Sequence, residues 1–236
     1  MSAARGLTVV RPELPPGLVA IPVRTPLVRP GDDPVDVVQR AVTGIAHAGD
    51  VIALSETALA IAQGEFVVAE YIRPSKLAYT LARRAGAMAT MSQPESVQLV
   101  IDRVGWWRVA YATVVQLVGR LMGRPGGFYR VLGDAISTID GYTGTMPPFE
   151  RAIVLAPRDP DAFAQSVFVR LGVDCVVVDA NDLEKAKVLG ASVSVVRGAV
   201  ENALLDNPHG NGDEQTPVVV LKWRASGTNP LVAADV

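Results

Sequence analysis

Cysteine and histidine are nearly missing from this chain: Cys175, His47 and His209 are all there are in 236 residues. One thiol cannot form an internal disulfide or a cysteine-based zinc cluster. Two histidines exclude a histidine-rich metal centre. Any metal must therefore be held by carboxylates, which selects magnesium, manganese or calcium. A basic surplus is missing too. With 22 Lys+Arg against 24 Asp+Glu the net charge is -2, so no nucleic-acid polymer is expected as a partner. Nothing at the start reads as an export signal, because Arg11 and Glu13 interrupt before an apolar core could form. No long uninterrupted apolar run occurs either. The most hydrophobic stretch, residues 106–122, contains Arg108, Gln116 and Arg120. It is expected to be a buried, structural helix with Trp106 or Trp107 packed in the core, not a membrane span. A cytoplasmic protein without a membrane partner is the expectation.

Apolar residues make up 49% of the chain and charged residues 19%, with a mean hydropathy of +0.27, which is a folding composition. Prolines 12, 15, 16, 22, 26 and 30 punctuate short apolar runs near the start, a pattern of edge strands and turns. Asp33-Pro34 then predicts a capped helix with Val35, Val38, Val42 and Ile45 on its buried stripe, ending near Gly49. Residues 50–55 read as a buried strand, and residues 74–122 as mostly helical. From Arg151 the pattern becomes strand (152–155), helix (from Asp159 to about Leu171) and strand (175–179), read as a crossover between parallel strands. Residues 217–223 form a last strand. The expected class is mixed α/β: one domain over residues 1–223, divisible near residue 150 into 1–150 and 151–223, with 224–236 a loose tail.

Phosphate loops of the G-x-x-x-x-G-K-[ST] and G-x-G-x-x-G types are absent, as is a G-x-S-x-G elbow. What remains is a set of carboxylates in turns and at strand ends. Asp140 opens a glycine-rich polar turn, and Asp179 ends a valine-rich strand ahead of Asn181 and Asp182. Two carboxylates at neighbouring strand ends can share a divalent cation that bridges phosphate oxygens. Equally, Asp140 reads as an Asx-turn residue, and Asn181 or Asp182 as a helix cap. Residues 206–217 form the most polar run. Gly210 and Gly212 let backbone N–H groups converge on an anion, and Asp213 and Glu214 are candidate metal ligands; an exposed connecting loop fits the same residues. His209 in that loop is expected to be a surface side chain.

Taken in order, these segments resemble the coenzyme F-420:glutamate ligase family, as a divergent short member. The resemblance rests on Thr25-Pro26-Leu27-Val28-Arg29-Pro30-Gly31-Asp32-Asp33, on Gly49-Asp50-Val51 through Ala62-Gln63-Gly64, and on Ile139-Asp140. Leu155-Ala156-Pro157-Arg158-Asp159-Pro160-Asp161 and the strand ending in Asp179 complete it. It implies a homodimeric mixed α/β nucleotide-binding fold, with GTP as phosphoryl donor and manganese or magnesium held by Asp140 and Asp179. It further implies nucleotide contacts at Leu27, Val28, Ser55, Glu56, Thr57, Thr143 and Asn181. The chain departs from the family where Glu56-Thr57 replaces a Ser-Lys pair, Ile61 a lysine and Gln63 a glutamate. Two functions follow. One is a nucleotide- and metal-dependent amide (gamma-glutamyl) ligase working through an acyl phosphate on carboxylate and amino-acid substrates. The alternative is a binding or regulatory protein that kept the fold with altered catalysis.

Overall fold

The computed structural model describes residues 17–85, 91–124, 126–137, 139–141, 147–181, 185–210, 214–225 and 227–233. They form a mixed α/β structure in two compact units. One comprises Met1–Leu59 with Asp159–Val236, the other Ala60–Arg158.

The first unit is built on a five-stranded sheet. Its strands are β1 (Leu18–Val23), β2 (Val51–Ser55), β6 (Asp174–Asn181), β7 (Lys185–Ala191) and β8 (Val218–Trp223), in the order β1-β8-β2-β6-β7. Only β2 and β6 are parallel; the other neighbours are antiparallel. Strands covered on both faces need continuous apolar runs. Val51-Ile52-Ala53-Leu54 and Cys175-Val176-Val177-Val178 are such runs and are buried throughout. Alternation sends Val51, Ala53, Val176 and Val178 to one face, where they pack with Val200 and Ala203 of α8 (Arg197–Ala203). Against β6 and β7 lies α7 (Pro160–Leu171), which also touches α1 (Pro34–Val42). The predicted cap of α1 holds: Asp33 Oδ1 accepts from Val35 N at 2.8 Å, with Pro34 in the first turn.

The second unit has its own core. A three-stranded antiparallel sheet, β3 (Phe66–Val68), β5 (Ala152–Leu155) and β4 (Ile139–Asp140), is ordered β3-β5-β4. Ile139 and Ile153 pack with residues from α3 (Lys76–Arg84), α4 (Pro94–Val104), α5 (Trp106–Leu121) and α6 (Gly127–Ser137). Where the chain enters and leaves this unit, Gln63 and Arg158 clasp each other. Gln63 Nε2 donates to Arg158 O, Arg158 N donates to Gln63 Oε1 at 2.7 Å, and the guanidinium donates to Gln63 O. Glu65 adds an ion pair to Arg158 at 2.8 Å.

Four expectations are corrected. The strands flanking α7 are not a crossover pair: β5 belongs to the three-stranded sheet, and the parallel partner of β6 is β2. Local pattern marks a buried strand but not the strand it will meet. The helix at 106–122 forms, yet it buries only Val109 and Ala112 and leaves Trp106 67% and Trp107 61% exposed. His209 is buried, not at the surface. Past residue 223 the chain is not a loose tail, since Leu231 is 1% exposed in the core and Val232 bridges Val195.

Candidate functional site

Parallel pairing brings the carboxyl ends of β2 and β6 to one edge of the five-stranded sheet. Ser55 stands opposite Val178, so Asp179 lies one residue beyond it. Antiparallel pairing brings the end of β1 and the start of β8 to the same edge, with Val23 opposite Val218. The start of β7 arrives there too, with Lys187 opposite Asp179 and Lys185 opposite Asn181. Residues 214–217 are stitched across it. Thr25 N donates to Gln215 O at 3.0 Å, Ser55 N to Pro217 O at 2.8 Å, and Arg24 Nε to Glu214 O at 2.9 Å. An edge outside the carboxyl ends of parallel strands is where α/β sheets most often take ligands.

Several residues singled out by the sequence meet here. Ser55, Asp179, Asn181 and Glu214 share the edge, while Glu56 and Thr57 continue directly from β2 into α2 (Glu56–Ala62). Leu27 and Val28 lie on the segment that leaves β1, with Val28 buried. Asp140 belongs to the second unit, where it closes β4 opposite Val154. Asp182, Asp213 and Thr143 lie outside the described residues.

Asp179 keeps more than a third of its surface open, yet the groups around it remove enough water to raise its carboxyl above the ordinary range. The ammonium of Lys187 opposes that shift and does not cancel it. Lys187 was not anticipated. Its signal was available, since Lys185-Ala186-Lys187-Val188 alternates as a half-buried strand does. Thr25 is a second unanticipated residue. It is buried, and its Oγ1 has no hydrogen-bond partner among the described residues.

His209 fastens the loop that crosses this edge. Its Nδ1 lies 3.2 Å from Thr216 O, and Thr216 Oγ1 donates to His209 O at 2.6 Å. Nδ1 therefore carries the proton, as the donor in that pair. Nε2 is buried without a partner among the described residues, and burial pulls the ring's pKa down to about 4. A neutral imidazole holding a loop is a structural part. Cys175 is no nucleophile either, because complete burial pushes its thiol far above the range in which it ionises at neutral pH.

A mixed α/β chain with an edge formed at parallel strand ends is the class these features define. Residues 22–120 match the model of the F420-0:Gamma-glutamyl ligase family, so the resemblance read from the motifs is borne out over that stretch. The match takes in β2 and the helix α2 that follows it directly. Asp140, Asp179 and the loop at 206–217 lie beyond it, and there the likeness rests on motifs alone. No curated protein matches the chain.

Proposed function

We propose that the chain is a nucleotide- and divalent-cation-dependent amide ligase of the gamma-glutamyl type. The observation that carries this reading is the family match over residues 22–120, which covers β2 and α2 at the sheet edge. In the proposed reaction a substrate carboxylate oxygen attacks the terminal phosphorus of GTP and GDP leaves. The amine of an amino acid then attacks the acyl carbon, phosphate departs with the bonding pair, and the amine gives up a proton to solvent or base. Ser55 and Thr57 are suited to donate hydrogen bonds to phosphate oxygens. Lys187 is a cation this edge offers where Glu56-Thr57 stands in place of the family's Ser-Lys.

The donor chemistry fits magnesium or manganese, since the candidates are all carboxylates. Among the described residues no three His, Cys, Asp or Glu side chains gather into a metal cluster. Asp179 would be one ligand, with Glu214 at the same sheet edge as a second candidate. A bound divalent ion would supply charge neutralisation at the phosphates, and it would favour the ionised form of Asp179 against the desolvation that raises its pKa.

A second reading is favoured by one observation. Gln63, at the family's glutamate position, is engaged with Arg158 in the clasp, so that position here serves structure. A protein that binds nucleotide without turnover fits it. Two measurements separate the readings. GDP release that requires an added amino acid supports the ligase, whereas tight GTP binding without release supports the binding protein. Manganese titrated into wild type and Asp179→Asn tests the metal directly: affinity should fall at least tenfold, or about 1.4 kcal/mol. Equal affinities would remove the cation from this edge.

A further inference from the structure

The helix that was expected to be core carries a large share of the exposed apolar side chains among the described residues. Trp107, Tyr111, Val114, Val118 and Leu121 follow one another at steps of four and three residues, which keeps them on one face of α5. Exposure along that face is high: Trp107 61%, Tyr111 60%, Val114 57%, Val118 47% and Leu121 84%. Leu117 and Met122 widen it, at 62% and 68%. The opposite face holds the helix to its own unit. Val109 and Ala112 are buried there, and Gln116 Oε1 accepts from Gly126 N and Phe128 N, tying α5 to the start of α6. The apolar stripe is thus the outward side of a docked helix.

Charge decides what covers it. From Arg103 to Arg130 every charged residue is an arginine: Arg103, Arg108, Arg120, Arg124 and Arg130. No carboxylate interrupts them, in a chain whose net charge is -2. At roughly 100° per residue, Arg108 lies about 100° from the centre of the stripe on one side and Arg120 about 140° from it on the other, beyond Leu117. Both are exposed. A second copy of this chain set face to face on α5 would bring arginine flank to arginine flank, which opposes pairing. An apolar stripe with tryptophan at one end and arginine on both sides is instead complementary to a surface that is oily within and negative at its boundary.

We propose that α5 docks the protein, lying flat, on an anionic lipid bilayer. Indole rings and aliphatic side chains enter the headgroup boundary, and the arginines pair with lipid phosphates. The arrangement is that of a helix resting on a membrane: among the described residues no helix is long and apolar enough to cross one. It departs from the membrane-free expectation because the sequence pattern shows that a stripe is apolar, not which way it faces. This proposal does not depend on the ligase reading.

The test uses the full chain with vesicles of phosphatidylcholine alone and of phosphatidylcholine containing phosphatidylglycerol. Co-sedimentation should be strong on the anionic vesicles, at least tenfold weaker on the neutral ones, and suppressed by salt. Leu121→Gln and Val118→Gln, both at exposed positions, should weaken binding tenfold or more with an unchanged circular dichroism spectrum. Arg108→Gln with Arg120→Gln should reduce it on anionic vesicles only. Absence of binding to anionic vesicles overturns the proposal. Equal binding to both vesicle types overturns it as well, because the arginines would then have no role. Light scattering that shows self-association abolished by Leu121→Gln, with no vesicle binding, assigns the stripe to a second copy instead.

Discussion

His209 shows how one side chain's surroundings set a property of the whole chain. Burial holds the ring neutral down to about pH 4, whereas in the unfolded chain it takes up a proton near 6.5. The folded pKa is the lower of the two, so the unfolded state binds the proton first as the pH falls. Stability is complete above about pH 6.5 and declines toward pH 4, by about 3 kcal/mol in all. His209→Gln should flatten that slope. Urea unfolding of both proteins near neutral pH and near pH 5 checks it, and parallel losses in the two would assign the acid sensitivity to other groups. Asp179 carries the opposite sign for a carboxyl group. Its raised pKa means the ionised form is disfavoured in the fold, so its contribution to stability declines as the pH rises above the ordinary carboxylate range. Asp179→Asn should therefore unfold no more easily than wild type at neutral pH while losing cation affinity. A group that costs stability and stands at the carboxyl ends of parallel strands is a candidate for function.

At the scale of elements, two contacts hold neighbouring segments together. Gly190 on β7 packs against the start of α7, where a Cβ would collide with the Pro160 carbonyl carbon. That neighbour is backbone and cannot swing away. Gly190→Ala should cost about 2 kcal/mol or more through overpacking, read as a lower unfolding midpoint. Equal stability would mean that β7 and α7 can separate freely. The Gln63–Arg158 clasp is the second contact. Gln63→Ala removes two hydrogen bonds between partly exposed groups and should cost about 1 kcal/mol. Hydrogen exchange at residues 63–68 and 152–158 would localise that loss to β3 and β5. A loss spread evenly over the chain would not fit a local clasp.

For the whole molecule, Ala60–Arg158 is inserted between the two segments that build the five-stranded sheet, and each unit has a separate core. Sequence order therefore misleads about neighbours: β2 and β6, more than a hundred residues apart, are adjacent, while β5 and β6, twenty apart, belong to different sheets. The proposed ligase is expected to be a homodimer, with light scattering giving twice the 24.9 kDa of one chain. A single-chain mass across micromolar concentrations would end that expectation. It would leave the membrane proposal standing, because the arginine-flanked stripe argues against pairing through α5.

Much of the local structure was legible in the residues. Asp33-Pro34 announced α1, the valine runs announced β2, β6 and β8, and the apolar spacing announced α5, because caps, periodicity and proline act within a few residues of themselves. The motif order also carried the family likeness that residues 22–120 bear out. Only the tertiary structure decided which strands pair, since every valine run is equally willing to be covered on both faces. It alone set Lys187 opposite Asp179, because register is a relation between two strands. It buried His209 and Leu231 in segments with no period to read, where a few long-range contacts determine what water reaches. It turned the apolar stripe of α5 outward, because a helix already anchored through Val109 and Ala112 needs no second buried face.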